Sequence, residues 1–249
     1  MRPFLSYYGA AWLRAPRYPR PRHKTIIEPF AGSAGYSTRY AAHDVILCDL
    51  DEHITGIWGY LIATSGSEIL SLPDVPPGAT VDDVVWPCEE AKWLAGFWLN
   101  TATSHPCKTP SKWMTAGISN GKSWVFWSHH LRLRLAHQVE QIRHWKVHHG
   151  RHEDLPCDIL SKEATWFIDP PYKEKGHRYR KGSEGIDYPK LGQWCKQRQG
   201  QVIVCEQAGA DWLPFSPLGS FKSTKGYSKE VVWLNDCAPW VCEQIEMAI

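Results

Sequence analysis

The chain has 249 residues, 43% hydrophobic and 22% charged, which is the balance of one large globular domain or of one domain with a lobed insertion. Its 28 Lys and Arg nearly cancel its 26 Asp and Glu, so a strongly basic or strongly acidic protein is excluded. No apolar run is long enough to span a bilayer, and the eight cysteines are scattered without a Cys-x-x-Cys pair, so no membrane partner and a reducing, cytoplasmic setting are expected.

The distribution of charge says more than its sum. From Thr101 to His152 there are eight Lys or Arg, eight His and one acid, Glu140. The opening from Met1 to Ile27 carries Arg2, Arg14, Arg17, Arg20, Arg22 and Lys24 and no acid. Segregated basic segments in a near-neutral protein suit a polyanionic partner. Several of the 14 tryptophans lie in or beside the basic segment: Trp98, Trp113, Trp124, Trp127 and Trp145. Core packing accounts for most of them, although aromatics among basic residues also stack bases or wedge a duplex.

In chain order, Phe4-Leu5-Ser6-Tyr7-Tyr8-Gly9-Ala10-Ala11-Trp12 sets small residues among aromatics, so the backbone can pass close to a flat ligand. Thr25-Ile26-Ile27 is a short strand leading into Glu28-Pro29-Phe30-Ala31-Gly32-Ser33-Ala34-Gly35, with a helix expected near Tyr36. A strand, a glycine turn and a helix make a nucleotide-type binding element that does not by itself distinguish NAD, ATP and S-adenosylmethionine. The loop lacks the Lys-Ser/Thr of a P-loop, which counts against ATP. Asp44 to Asp51 reads as a second buried strand ending in acids. Asp49 directly follows the apolar run, where a ribose diol is held in dinucleotide folds. Asp51 suits the cap of a helix running from Glu52 to about Ala63.

Pro87 to Asn100 reads as a helix, Thr101 to Ser123 as an irregular basic stretch, and Trp127 to Trp145 as a helix with Leu131, Ala136, Val139 and Ile142 on one side. His144 and His148 at helical spacing, with Cys157 beyond, raise zinc, but match no specific zinc spacing; a solvated basic face is the expectation, with no metal. Ala164 to Ile168 is a buried strand that must end at Asp169-Pro170-Pro171-Tyr172, because proline has no N–H for a sheet. Lys173 to Lys190 reads as a mobile basic loop beside this turn, Gln201 to Cys205 as a further strand, and Lys229 to Leu234 as a strand completing an edge hairpin.

The order of these features, with Phe-Ala-Gly-Ser-Ala-Gly and Asp-Pro-Pro-Tyr as its fixed points, resembles Dam-type adenine-specific DNA methyltransferases, and the size is similar to that of short phage-encoded members. The resemblance covers most of the chain. It implies an α/β fold, a Rossmann-like S-adenosylmethionine-dependent methyltransferase sheet with flanking helices, in a single domain 1–249 with a target-recognition lobe inserted at 101–152. It implies S-adenosyl-L-methionine held by Tyr7, Gly9, Phe30, Gly32, Gly35, Asp49 and Asp169. It implies a catalytic turn of Asp169, Pro170, Pro171 and Tyr172, and double-stranded DNA as partner of a monomer. The basic segment supplies Lys108, Lys112, Lys122, Arg132 and Arg134 as candidate phosphate contacts. One departure stands out: family members commonly carry Gly-Gly-Lys in the first motif, and this chain reads Gly9-Ala10-Ala11.

The implied chemistry explains the residue types. The adenine amine is a poor nucleophile because its lone pair is delocalised into the ring. Asp169 and the carbonyl of Pro170 can accept its two N–H bonds and favour a pyramidal nitrogen, and such charge-assisted bonds are strong. The base must leave the duplex, and Tyr172 would stack on it. Methylation of the cytosine N4 amine more often uses Ser in place of Asp169, and protein-glutamine or RNA methyltransferases more often use Asn. A catalytically silent DNA-binding protein of the same fold is the competing class.

Overall fold

In the computed structural model, residues 1–235 are described apart from 77, 120–125, 175 and 224–225. Strands β1 (Thr25–Glu28), β2 (Asp44–Asp49), β3 (Lys146–His149), β4 (Ala164–Ile168), β5 (Gly200–Gln207), β6 (Ser216–Ser223) and β7 (Gly226–Leu234) form one sheet of order β3-β2-β1-β4-β5-β7-β6. The first five are parallel, while β7 runs antiparallel between β5 and β6. This is the Rossmann-like α/β sheet expected from the sequence, with the carboxyl-terminal hairpin at its edge.

Side chains alternate across each strand, and the two faces are both apolar. Ile26, Val45, Leu47, Phe167 and Ile203 face one core, whereas Ile27, Ile46, Trp166, Ile168, Val202 and Val204 face the other. The first core is covered by α1 (Glu52–Ala63), α3 (Glu89–Phe97) and α5 (His129–Val139), with α2 (Gly66–Ser71) packed on α5 and α4 (Lys112–Ser119) contributing Met114. The second is covered by the short α6 (Cys157–Leu160) and α7 (Tyr188–Lys196). Phe167 stacks on Tyr36 with ring centroids 4.3 Å apart, so Phe167→Ala would cost about 3–5 kcal/mol and loosen the strand that carries the Asp169–Tyr172 turn.

Three expectations are corrected. The helix expected near Tyr36 is a single 3-10 turn, Ser37–Tyr40. The Ser37 N–H is taken by the Glu28 carboxylate at 2.7 Å, and β2 begins again at Asp44, leaving no room for a longer helix. The helix expected over Trp127 to Trp145 covers His129–Val139, because the chain tightens into successive turns from Gln138 to Trp145 before entering β3. Nor is 101–152 a separate lobe throughout. Its second half supplies α5, which packs against α2, and β3, the edge strand paired with β2.

The tryptophan expectation holds where the chain is described. Trp98, Trp127 and Trp145 are buried and donate to the carbonyls of Phe4, Pro73 and Ala41. Trp113 is exposed, and Trp124 lies outside the described residues. Cys48, Cys195 and Cys205 are buried thiols within the cores. Among the described residues no helix is long and apolar enough to cross a membrane.

Candidate active site

Five neighbouring strands each bring one acid to the same region of the sheet: Asp49 on β2, Glu28 on β1, Asp169 just past β4, Glu206 on β5 and Glu230 on β7. Parallel pairing of β2, β1, β4 and β5 puts the first four at their carboxyl ends, and Glu230 pairs with Gln207 at the end of β5. Ligands bind at this edge in open α/β sheets. A cavity of about 300 Å³ opens there, and Glu28, Phe30, Gly32, Asp49, Asp169 and Pro171 are among its walls. That volume is at the lower end for a small-molecule site.

The glycine loop is held from both sides. Asp49 accepts from the Gly32 N–H and from the Asp51 N–H, each at 2.9 Å, which ties the loop to the end of β2. Gly32 has φ +44° and lies under the Tyr7 ring, and Ala34 adopts φ +47°, a conformation that costs a residue with a Cβ about 1 kcal/mol or more. A Cβ on Gly35 would stand 2.6 Å from the Trp12 nitrogen. Glycine there lets the amino-terminal segment cross the loop, which is its local role. Tyr7 then covers the cavity, with its ring 5.7 Å from Phe97 and 5.9 Å from Tyr179.

The segment expected to be a mobile loop is clasped over the cavity. Arg180 pairs with Asp51 at 2.8 Å and with Glu52 at 2.5 Å, at the amino end of α1. Arg151 donates to the Gly185 carbonyl at 2.8 Å, and the Tyr188 hydroxyl to that of Pro171 at 2.5 Å. Tyr179 reaches over Gly9, whose positive φ of 73° and missing Cβ make room for its hydroxyl. Asp51 also caps α1 by accepting from the His53 N–H at 3.0 Å, as its position in the sequence suggests.

Burial raises the carboxyl groups at the cavity. Asp169 is pushed up to about 6 by burial, against the pull of the nearby Arg14 guanidinium. Asp49 is likewise raised to about 6 by burial, against its backbone hydrogen bonds. Glu28, more deeply enclosed, is pushed up to about 8. His152 is packed between Phe30 and Trp194, and burial lowers it to about 4.

Tyr7, Gly9, Phe30, Gly32, Gly35, Asp49 and Asp169 all meet at the cavity, together with Pro171 of the Asp-Pro-Pro-Tyr turn. Tyr172 is differently engaged from a free stacking ring: its hydroxyl donates to Glu230 at 2.6 Å and accepts from Arg14 at 3.3 Å. Pro170 is buried beside Asp169.

The basic segment is largely used internally. Arg132 is buried, paired with Asp74 at 2.6 Å and set over the Trp127 ring, so it presents no free guanidinium to a phosphate. Arg134 donates to the Pro3 carbonyl and to Gln138, packs over Trp98, and is lowered to about 10 by burial. Lys108 is exposed but bridges to Asp82 at 2.8 Å, whereas Lys112 is exposed beside Trp113. Lys122 lies outside the described residues. His144 and His148 do not share a helix face: His148 is in β3, while His144 lies before it and bonds the His43 carbonyl. Among the described residues no group of three or more His, Cys, Asp or Glu side chains is placed to hold a metal ion.

Sequence reasoning missed Arg14, Glu230 and Tyr179 as site residues. Arg14 had the signal of a cation near the first motif, but its approach to a tyrosine 158 positions away is a product of the fold.

No protein-family model matches the chain, and no curated protein does either. Among solved structures, the rRNA methyltransferase aviRa from Streptomyces viridochromogenes is similar with a TM-score of 0.39 and 14% identity, over 96% of this chain and 94% of that one. A conserved hypothetical protein from Streptococcus pyogenes is similar with a TM-score of 0.35 and 11% identity, over 85% of this chain and 86% of that one. No residue role is taken from these likenesses.

Proposed function

We propose that this protein transfers a methyl group from S-adenosylmethionine to the N6 amine of adenine in double-stranded DNA. The observation that carries the reading is the meeting of the Asp169 carboxylate, the Gly32 loop and Asp49 in one cavity. Carboxyl groups of Asp49, Asp51 and Asp169 on its walls suit a ligand with a cationic sulfonium, and Tyr7 and Phe30 offer faces to a flat adenine. When bound, S-adenosylmethionine supplies the electrophilic methyl group.

Tyr7, Phe30, Gly32 and Asp49 are the residues that would hold it, Asp49 through the ribose diol. Asp169, ionised above about pH 6, accepts from the target amine, and the Pro170 carbonyl accepts its second N–H. Orientation of nitrogen and methyl then supplies several kcal/mol, on the order of 10²-fold in rate or more. The clasp from Arg180 to Asp51 and Glu52 holds the segment that places Tyr179 over the site. On the DNA side, exposed Lys112 and Trp113 on α4 and exposed Arg17 and Arg20 are the surface groups suited to phosphate and base contacts.

Modified-base sequencing of DNA from cells expressing the protein tests the reading. Methylated adenine at a fixed sequence is expected. Methylated cytosine, or methyl groups on RNA with none on DNA, would overturn the substrate.

A further inference from the structure

Into the row of carboxylates comes one side chain from the far end of the sequence. Arg14 follows the 3-10 turn Ala11–Leu13 and is itself largely buried, with 14% of its side chain exposed. Its Nη1 lies 2.9 Å from the Glu230 carboxylate and 3.3 Å from the Tyr172 hydroxyl, while its Nη2 donates to the Gly9 carbonyl at 2.6 Å. Nη2 is also 3.9 Å from the Asp169 carboxylate. That is close enough for charge to act and too far for a hydrogen bond.

We infer that Arg14 and Glu230 are a positioning pair for the catalytic turn, the guanidinium keeping Asp169 ionised without occupying its lone pairs and Glu230 fixing both the guanidinium and the Tyr172 ring. The inference rests on the reading of Asp169 as the group that meets the substrate amine.

Three observations carry it. Glu230 is almost completely enclosed, with 2% of its side chain exposed, and a carboxylate so placed needs a cationic or hydrogen-bonding partner. It has both, in Arg14 and in the hydroxyls of Tyr172 and Ser228. A guanidinium that bonded Asp169 directly would compete with the amine for the same oxygens; at 3.9 Å it does not. Finally, in a 3-10 helix residues i and i+3 lie over one another, so Arg14 shares a side with Ala11, which lines the cavity.

The groups that act on Asp169 come from every element around it. They are Arg14 and Tyr18 from the amino-terminal segment, Glu28 from β1, Tyr172 from its own turn and Tyr179 from the clasped loop. Cys205 and Glu206 from β5 and Glu230 from β7 complete the set. Burial opposes the charge on Arg14, but Tyr172, Tyr18, Asp169 and Glu230 outweigh it and raise its pKa.

The test is a carbon-detected NMR titration of the Asp169 carboxyl in the full chain, assigned with Asp169→Asn, and circular dichroism at each pH. Arg14→Gln is expected to raise the Asp169 midpoint by about one unit or more, and Arg14→Lys to restore most of the difference. Glu230→Gln, which keeps the shape and removes a negative charge, is expected to lower it. An unchanged midpoint in Arg14→Gln, or in Glu230→Gln should the first variant not fold, would overturn the pair. The titration needs neither S-adenosylmethionine nor DNA. A protein that titrates as expected yet methylates no DNA would refute the substrate reading and leave the pair standing.

Discussion

The Tyr172 hydroxyl donates to the Glu230 carboxylate at 2.6 Å, joining the Asp169–Tyr172 turn after β4 to the antiparallel strand β7. A ring needed only for stacking would tolerate loss of its hydroxyl. Here Tyr172→Phe leaves a buried carboxylate short of a donor, so a stability loss of about 1–3 kcal/mol is expected, along with reduced turnover. Chemical denaturation of the two proteins, with and without Glu230→Gln, checks this. Additive effects of the two substitutions would contradict a shared bond.

Asp49 does two things at the end of β2: it anchors Gly32 and, in the proposed complex, accepts from the ribose diol. Asp49→Ala should therefore weaken S-adenosylmethionine binding by about tenfold to a hundredfold, equivalent to about 1.4–2.8 kcal/mol. Calorimetric titration reads the change. Unaltered affinity would move the ribose role to Asp51, although that residue already caps α1 and pairs with Arg180.

Glu28 gives the fold a pH signature. Its carboxyl is raised from 4.5 to about 8 by burial, so the folded state holds a proton that the unfolded state has lost, and stability falls as pH rises through that window. Asp49 and Asp169 act in the same direction only up to about 6. His152, lowered to about 4, destabilises on acidification, and that effect is confined to pH below its unperturbed 6.5. Between about pH 6.5 and 8 Glu28 lowers stability as pH rises, while the Met1 amino group, lowered from 8.0 by burial, acts in the opposite direction. The Glu28 share of the slope, read as the difference between the parent and Glu28→Gln, is a loss of about 2 kcal/mol. Glu28→Gln, which can still accept from the Ser37 N–H, should flatten that slope in denaturation curves. An equal slope in the variant would contradict the assignment.

The basic segment divides into anchors and free charges. Lys112→Ala should flatten the salt dependence of DNA binding by about one unit of log–log slope if it contacts a phosphate. Arg132→Ala should leave that slope alone and cost about 1–3 kcal/mol of stability, since its guanidinium is buried against Trp127 and paired with Asp74. The two effects are read by fluorescence anisotropy across a salt series and by thermal denaturation. A flatter slope for Arg132→Ala would return that residue to the DNA surface.

Much of the sheet was legible because its strands are short apolar runs ended by acids, glycine or proline: Asp44 to Asp49, Ala164 to Ile168 and Gln201 to Cys205 need no tertiary information to be seen. The acids ending the first two, Asp49 and Asp169, were legible for the same reason, whereas Glu206 at the end of the third was not singled out. What sequence could not show is which cations turn inward. Arg132 and Arg14 look like other surface arginines until the fold buries them beside Asp74 and Glu230. The missing helix after the glycine loop was hidden similarly, because Glu28 captures the Ser37 N–H only once β1 and the loop are in place.

The account turns on Asp169 as the acceptor of the target amine. The most direct measurement is single-turnover transfer of labelled methyl from S-adenosylmethionine to unmethylated double-stranded DNA, with the product hydrolysed to nucleosides, for the parent and Asp169→Ala. Label in N6-methyl-2′-deoxyadenosine from the parent is predicted, falling with pH below about 6, and none from Asp169→Ala, whose thermal unfolding stays close to the parent's. Equal turnover by Asp169→Ala would contradict the account.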